Sequence, residues 1–266
     1  MKTRAITGFF FVLVMLASVL SGAYAFSIFF IVLSLFSLTE FYGLIGREKA
    51  RPDRMGGILL GGAIFLAFAA FNLHLVRSFI LLLPIPFLAF IYIRELYQKN
   101  EQPFYNISLT FLGVIYAVVP FVFFFNLGFL GGDYQYYLPM SFLFMLWAND
   151  TGAYLVGMKL GKTKLFERHS PKKTWEGFIG GVLLSIVVGL ILHQYYPNLS
   201  GWKWCTIAVI ISVFGTWGDL TESMLKRSFQ VKDSGSLLPG HGGLLDRFDG
   251  LLLAAPLVYC FLRWVA

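Results

Sequence analysis

The sequence predicts an all-α, polytopic integral membrane protein with about nine transmembrane helices. Three observations carry this. Of 266 residues, 58% are hydrophobic and only 13% charged, roughly half the charge of an ordinary soluble domain. Apolar runs of roughly 20 residues recur from end to end, each long enough to cross a hydrocarbon core of about 30 Å. Lys and Arg fall almost wholly on one side of the alternation those runs create. Within lipid such runs must be helices, because an open strand leaves its backbone groups unpaired. No polar stretch is long enough to form a large soluble domain.

The nine apolar segments are 5–23, 25–45, 56–73, 78–96, 104–126, 137–158, 177–195, 203–222 and 250–265. The first follows Lys2 and Arg4, and Ala23-Tyr24-Ala25 has the form of a cleavage site. The run is longer than the core of a secretory signal, and a second span follows at once, so an uncleaved helix is expected. The third segment opens with Gly56, Gly57, Gly61 and Gly62, and the seventh with Gly177 and Gly181. These spacings permit close helix packing, within the chain or between subunits. The sixth contains "WANDTGAY", in which Asn149 and Asp150 interrupt an otherwise apolar run. Residues 1–136 hold spans one to five. Residues 137–266 hold spans six to nine with the polar loops between them, and the two halves make one membrane domain.

Charge orients the chain. Over nine spans, 18 of the 21 Lys and Arg residues fall on the side of the N-terminus, leaving Arg77, Lys203 and Arg263 on the other. That bias places the N-terminus in the cytoplasm and the C-terminus outside. The net charge of +7 is therefore read as topology and phosphate chemistry, with no nucleic acid as partner. Cys205 and Cys260 lie far apart in apolar runs and form neither a CxxC pair nor a disulfide framework.

Acidic residues locate the chemistry. A carboxylate inside a span costs at least about 2.5–3.5 kcal/mol, and most of the 14 acids sit with cations in loops, on solvated faces. Asp150, Asp219, Glu222, Asp246 and Asp249 are different: they stand at or inside the cytoplasmic ends of spans six, eight and nine. In "GDLTESMLKR", Asp219, Glu222, Ser223 and Lys226 share one helix face, and Asp246 and Asp249 in "DRFDG" share another. Two helix ends thus offer up to four carboxylates to one polar pocket at the cytoplasmic side. Mg²⁺ takes oxygen ligands and commonly keeps one or two carboxylates, with substrate phosphates in other positions. Lys226, Arg227, Lys232, Arg247 and His241 stand ready to neutralise phosphate oxygens. The glycines of "PGHGG" let backbone N–H groups approach an anion. Lys172 and Lys173 in "HSPKKTWEG" add two cations, which a positive-inside loop would also explain. "GMKLGKT", Gly157–Thr163, imitates a phosphate-binding P-loop but has three residues where that loop needs four, and it follows a membrane helix, not a strand. The residues support metal-dependent chemistry on phosphates at a membrane surface, with one substrate arriving from the bilayer. They do not name a nucleotide.

"SMLKRSFQVKDSGSLLPGHGGLLDRFD", Ser223–Asp249, resembles the signature of the phosphatidate cytidylyltransferases, with every element at its spacing. "SPKKTWEG" and "NDTGAY" look like further segments of that family, so the resemblance covers the second half of the chain. It implies the reaction CTP + phosphatidic acid → CDP-diacylglycerol + diphosphate, with Mg²⁺ as cofactor, in phospholipid biosynthesis. It also implies a multi-pass protein of the cell membrane, the inner one where there are two, and a homodimer. Carried onto this sequence, Asp219, Asp246 and Asp249 hold metal and act catalytically with Lys226. Arg227, Lys232, His241 and Arg247 bind substrate, Lys172 and Lys173 close over the nucleotide, and Asp150 and Glu222 support the site or a second cation. Two rival readings remain: a CTP-dependent lipid-alcohol kinase, which would attack the γ-phosphorus, and an anion transporter.

Overall fold

The computed structural model describes residues 2–46, 51–231, 233–235 and 242–265, excepting the side chains of residues 2–7. Among the described residues ten α-helices dominate: α1 (Lys2–Leu20), α2 (Ala23–Ile45), α3 (Arg54–Asn72), α4 (Pro84–Tyr97), α5 (Pro103–Ala117), α6 (Val119–Leu127), α7 (Tyr137–Leu160), α8 (Trp175–Tyr195), α9 (Gly201–Ser228) and α10 (Leu245–Val265). Among the described residues, seven stretches are long and apolar enough to cross a membrane, namely α2, α3, Ser78–Tyr97, Pro103–Leu127, α8, α9 and α10. The protein is an all-α, multi-pass membrane protein. The other two apolar segments are helical as well: α1, whose apolar part is Gly8–Leu20, and the 24-residue α7, which carries Asp150.

Two expected spans are not single helices, and proline is the reason. Pro120 has no N–H to give the carbonyl of Tyr116, so the segment 104–126 breaks at Val118 into α5 and α6. The segment 78–96 begins as a 3-10 turn, Ser78–Leu82, and becomes α-helical at Pro84, which suits a first helical position where no N–H is needed. A third difference lies in the loop after α7. Lys164–Phe166 (β1) and Ser170–Thr174 (β2) pair antiparallel, with Lys164 opposite Thr174 and Phe166 opposite Ser170.

The chain divides into two compact units. The first comprises residues 1–134 and 233–247, the second residues 135–232 and 248–266. The first unit has an aromatic core in which Phe26, Phe30, Phe121, Phe124 and Phe125 are fully buried. Phe26 stacks on Phe125 at 5.6 Å, and Phe30 meets Phe124 at 4.9 Å. Beside it runs a polar network at odds with the solvated faces expected for loop acids. Asp53 and Glu95 are only 8% and 2% exposed. Asp53 caps α3 through the Gly56 N–H and pairs with Arg94. Glu95 accepts from Asn106 and Asn100 at 2.9 and 2.8 Å. A buried carboxylate is tolerable only when so partnered. Asn106 in turn accepts from the Arg51 N–H, and Tyr42 donates to the Thr110 carbonyl.

The second unit is built on close helix contacts. A Cβ on Gly177 would lie 2.8 Å from the Ala153 carbonyl oxygen, and one on Gly181 would lie 2.7 Å from that of Asn149, so α7 and α8 meet backbone to backbone. In the first unit, Gly61 packs instead against side chains, a Cβ there lying 3.0 Å from Val118 Cγ2 and 3.3 Å from Leu38 Cδ2. Both glycine rows noted in the sequence are therefore used inside the chain. On the far side of α8, Ile179, Leu183, Val187 and Leu190 form an exposed apolar stripe at helical spacing, as a lipid-facing surface requires.

Candidate active site

The site is assembled from α7, the β1–β2 hairpin, α8, α9 and α10 within the second unit. At the end of α7, Gly161 caps the helix and the chain turns into the hairpin. That loop is held by Glu176 of α8, which accepts the N–H groups of Lys162 and Thr163 at 3.1 Å each. Thr174 closes β2 and caps α8, its hydroxyl accepting from Gly177 N at 3.2 Å. Lys172 and Lys173 thus stand on an ordered strand, not on a free loop. Gly157–Thr163 is the end of α7 and this turn, which disposes of the P-loop likeness.

Helices α9 and α10 run antiparallel in this unit. At one end Lys203 donates to the Val265 carbonyl and Trp202 packs edge-on against Phe261. Toward the other end the backbones touch. A Cβ on Gly218 would overlap the Asp249 carbonyl oxygen and lie 3.1 Å from its carbon and 3.2 Å from Gly250 Cα. Asp219 and Asp249 flank this contact. Two carboxylates are therefore brought close because glycine lets two helices meet there.

Lys173 forms an ion pair with Asp219, both side chains partly exposed. Ser223 lies with its hydroxyl 3.4 Å from the same carboxylate. Asp150 of α7 lies within electrostatic reach of Lys173 and Asp219, and Asp249 within reach of Asp219, Asp150 and Lys173. Three carboxylates thus face one ammonium. A cavity of about 360 Å³ opens beside them, within the usual size for a small-molecule site. Its polar wall includes Asp150, Lys172, Lys173, Thr174 and Thr216, and Tyr154, Met158 and Phe178 line its apolar side. One turn below Asp219, Glu222 is wholly buried and pairs with Lys226 at 3.3 Å, the lysine side chain being 14% exposed. Arg227 is exposed and donates to the Val231 carbonyl at 3.3 Å.

Asp246 and Arg247 belong to the first unit, although they lie on α10 just before Asp249. Asp246 Oδ2 accepts from the Ser234 N–H and hydroxyl, each at 2.9 Å, and from Gly243 N at 2.8 Å. That oxygen is committed to Ser234 and Gly243. Lys232 and His241 lie outside the described residues. Among the described residues no three His, Cys, Asp or Glu side chains are gathered to hold a metal ion by themselves. The surplus of carboxylate over ammonium around Lys173 nevertheless fits a cation whose remaining ligands come from substrate oxygens.

One residue is new. Glu40, near the end of α2, accepts from the Leu245 N–H at 2.9 Å. The signal for it was present, since a lone carboxylate inside an apolar span is expensive. Thr174 and Thr216 carry no such signal, because single threonines in a membrane helix or loop are ordinary.

The sequence pattern of the cytidylyltransferase family matches residues 2–265. The phosphatidate cytidylyltransferases of Staphylococcus haemolyticus (strain JCSC1435) and Staphylococcus aureus (strain COL) are each 34% identical to this chain, over 260 residues that cover 97% of either partner. That of Staphylococcus epidermidis (strain ATCC 12228) is 33% identical over the same extent. With both units and every element of the site inside the matched range, this chain belongs to the cytidylyltransferase family and is a nucleotidyltransferase.

Proposed function

We propose that the protein is a phosphatidate cytidylyltransferase. A phosphate oxygen of phosphatidic acid attacks the α-phosphorus of CTP. The bond from that phosphorus to the bridging oxygen breaks, and diphosphate leaves as CDP-diacylglycerol forms. The observation that carries this reading is the meeting of Lys172, Lys173 and Asp150 at the wall of one cavity, with Asp219 paired to Lys173 and Asp249 within electrostatic reach of both. The relatives' names supply the nucleotide and the lipid.

Little covalent work falls to the protein in phosphoryl chemistry, and positioning and charge neutralisation dominate. Mg²⁺, when bound, offsets charge on the phosphate oxygens. Asp219 and Asp249 are the carboxylates that would hold it, with Asp150 as a supporting or second-cation group. Lys173, already fixed over these carboxylates by Asp219, is placed to receive a phosphate oxygen, with Lys172 beside it. Lys226 and Arg227 offset the remaining triphosphate charge, and Glu222 fixes the Lys226 ammonium. Arg247, Lys232 and His241 contribute phosphate contacts from the signature segment. Asp246 is assigned a positioning role on that segment in place of a direct metal bond, because Oδ2 already serves three loop donors. A phosphomonoester carries its second negative charge above a pKa of about 6, so the acceptor needs no general base.

The proposal includes nine spans with the N-terminus and the site on the cytoplasmic face of the cell membrane, the inner one where there are two. Its support is the bias of 18 cations in 21. It also includes a homodimer, whose interface must use faces other than the internally packed glycine rows.

The test is mass spectrometry of the lipid formed from phosphatidic acid, CTP and Mg²⁺ by purified protein. A gain of one cytidine monophosphate unit, lost in both Asp219→Asn and Asp249→Asn, is expected. A gain of one phosphate unit would assign the protein to the kinases. Normal turnover by both folded variants would remove the metal role of these carboxylates.

A further inference from the structure

We propose that Glu40 is a positioning residue for this reaction: from α2 it clamps Ser234, Gly243 and the head of α10, and so sets the helix end that presents Asp246 and Arg247. The inference rests on the activity proposed above and extends it to a residue far from the signature in sequence.

Glu40, Ser234, Gly243, Leu245 and Asp246 all lie in the first unit. Glu40 Oε2 accepts from the N–H of Leu245, the first residue of α10. The opening N–H groups of a helix have no partner within it, and a carboxylate there meets both an orphan donor and the positive end of the helix dipole. Ser234 joins this contact to the next. Its hydroxyl lies 3.4 Å from Glu40 Oε2 and 2.9 Å from Asp246 Oδ2, so the proton goes to Asp246 and Glu40 closes the cluster from the other side. Gly235 and Gly243 fit around the carboxylate. A Cβ on Gly243 would lie 2.7 Å from Glu40 Oε2, and one on Gly235 would lie 2.5 Å from Glu40 Oε1. Both glycines therefore leave room for a side chain contributed about 200 residues earlier.

A simple packing role accounts poorly for a carboxylate here. Among the described residues Glu40 Oε1 is buried without a hydrogen-bond partner, a costly arrangement for a charged group. Sites that accept such a cost are commonly functional ones. What the cost maintains is the position of one helix end. Asp246 sits in the first turn of α10, and Arg247 follows it. A shift at Leu245 is transmitted to both.

The experiment compares wild type, Glu40→Gln, Glu40→Ala and Ser234→Ala, all as full-length protein in the same detergent. Cytidylyl transfer and hydrogen–deuterium exchange in the peptide spanning residues 242–247 are both measured. If folded wild type transfers no cytidylyl group, the proposed activity fails. Given wild-type transfer, Glu40→Ala is expected to lower kcat per folded molecule by about 100-fold, the usual scale of a displacement near 1 Å. KM for CTP should rise as well, because Arg247, placed on the CTP phosphates in this account, lies in the loosened turn. Exchange in 242–247 should rise in parallel. Glu40→Gln keeps an acceptor oxygen for the Leu245 N–H and should fall between, as should Ser234→Ala. Three results overturn the proposal: kcat within twofold of wild type, a loss fully explained by a smaller folded fraction, or a loss of kcat without faster exchange in 242–247.

Discussion

Replacing Gly218 by alanine puts one methyl group between α9 and α10 and tests how the carboxylate pair is built. Alanine is the better helix former by about 1 kcal/mol, so propensity alone predicts a more stable protein. Packing predicts the reverse. The new Cβ would stand 3.1 Å from the Asp249 carbonyl carbon and 3.2 Å from Gly250 Cα, and would overlap the carbonyl oxygen. These are backbone atoms of a helix and cannot rotate away, so α10 must move outward by up to about 1 Å. Overpacking of this kind costs about 1–3 kcal/mol, enough to cancel the propensity gain. The displacement separates Asp219 from Asp249, and a misplacement near 1 Å can lower kcat by about 100-fold. Gly215→Ala is the control on the same face. Its Cβ would lie 3.0 Å from Leu146 Cδ1, the movable tip of a side chain, and 3.9 Å from Gly250. It should keep kcat within about threefold, because a side-chain tip can yield where a backbone cannot. The assay is cytidylyl transfer across a Mg²⁺ titration, with thermal unfolding in detergent as the measure of folding. Gly218→Ala should show low kcat and a raised Mg²⁺ requirement. Wild-type kcat and Mg²⁺ dependence in folded Gly218→Ala would refute the idea that this contact sets the pair.

Other predictions follow from the same geometry. Lys173→Met removes the ammonium facing three carboxylates and should reduce kcat/KM for CTP by at least about 100-fold, a loss near 2.7 kcal/mol, whereas Lys172→Met, on an exposed residue, should cost less. Glu222→Gln breaks the pair of wholly buried Glu222 with the largely buried Lys226 and should destabilise the protein by about 3–5 kcal/mol; thermal unfolding of Glu222→Gln and of Glu222→Gln/Lys226→Met should show recovery of stability, without activity, in the double variant. Gly181→Ala sets a methyl 2.7 Å from the Asn149 carbonyl oxygen, and should lower the unfolding temperature by an amount matching about 1–3 kcal/mol.

The sequence disclosed the parts governed by bulk partitioning. Long apolar runs must become helices in lipid, and carboxylates gathered beside a membrane surface mark chemistry, so Asp150, Asp219 and Asp249 were legible one by one. Their meeting was not, because it depends on Gly218 and Gly250 allowing two backbones to touch, and a glycine in a membrane helix can serve many contacts. Pro120 was readable as a break only by weighing one missing N–H against an otherwise continuous apolar run. The hairpin at Lys164–Thr174 escaped notice because a short polar loop carries little periodicity. Asp53 and Glu95 looked like solvated loop acids, yet each finds partners through folding: Arg94 for one, Asn100 and Asn106 for the other. Glu40 lay in plain view as a charge inside a span, but its partners are about 200 residues away, and only the fold brings them to it.

The central claim is that the α-phosphorus of CTP is the point of attack. The direct measurement incubates purified protein in mixed micelles with phosphatidic acid, Mg²⁺ and CTP labelled separately at the α- or γ-phosphate. The account predicts α label in the lipid and γ label released as diphosphate. Label from the γ position in the lipid, or transfer of neither label by folded protein, would contradict it.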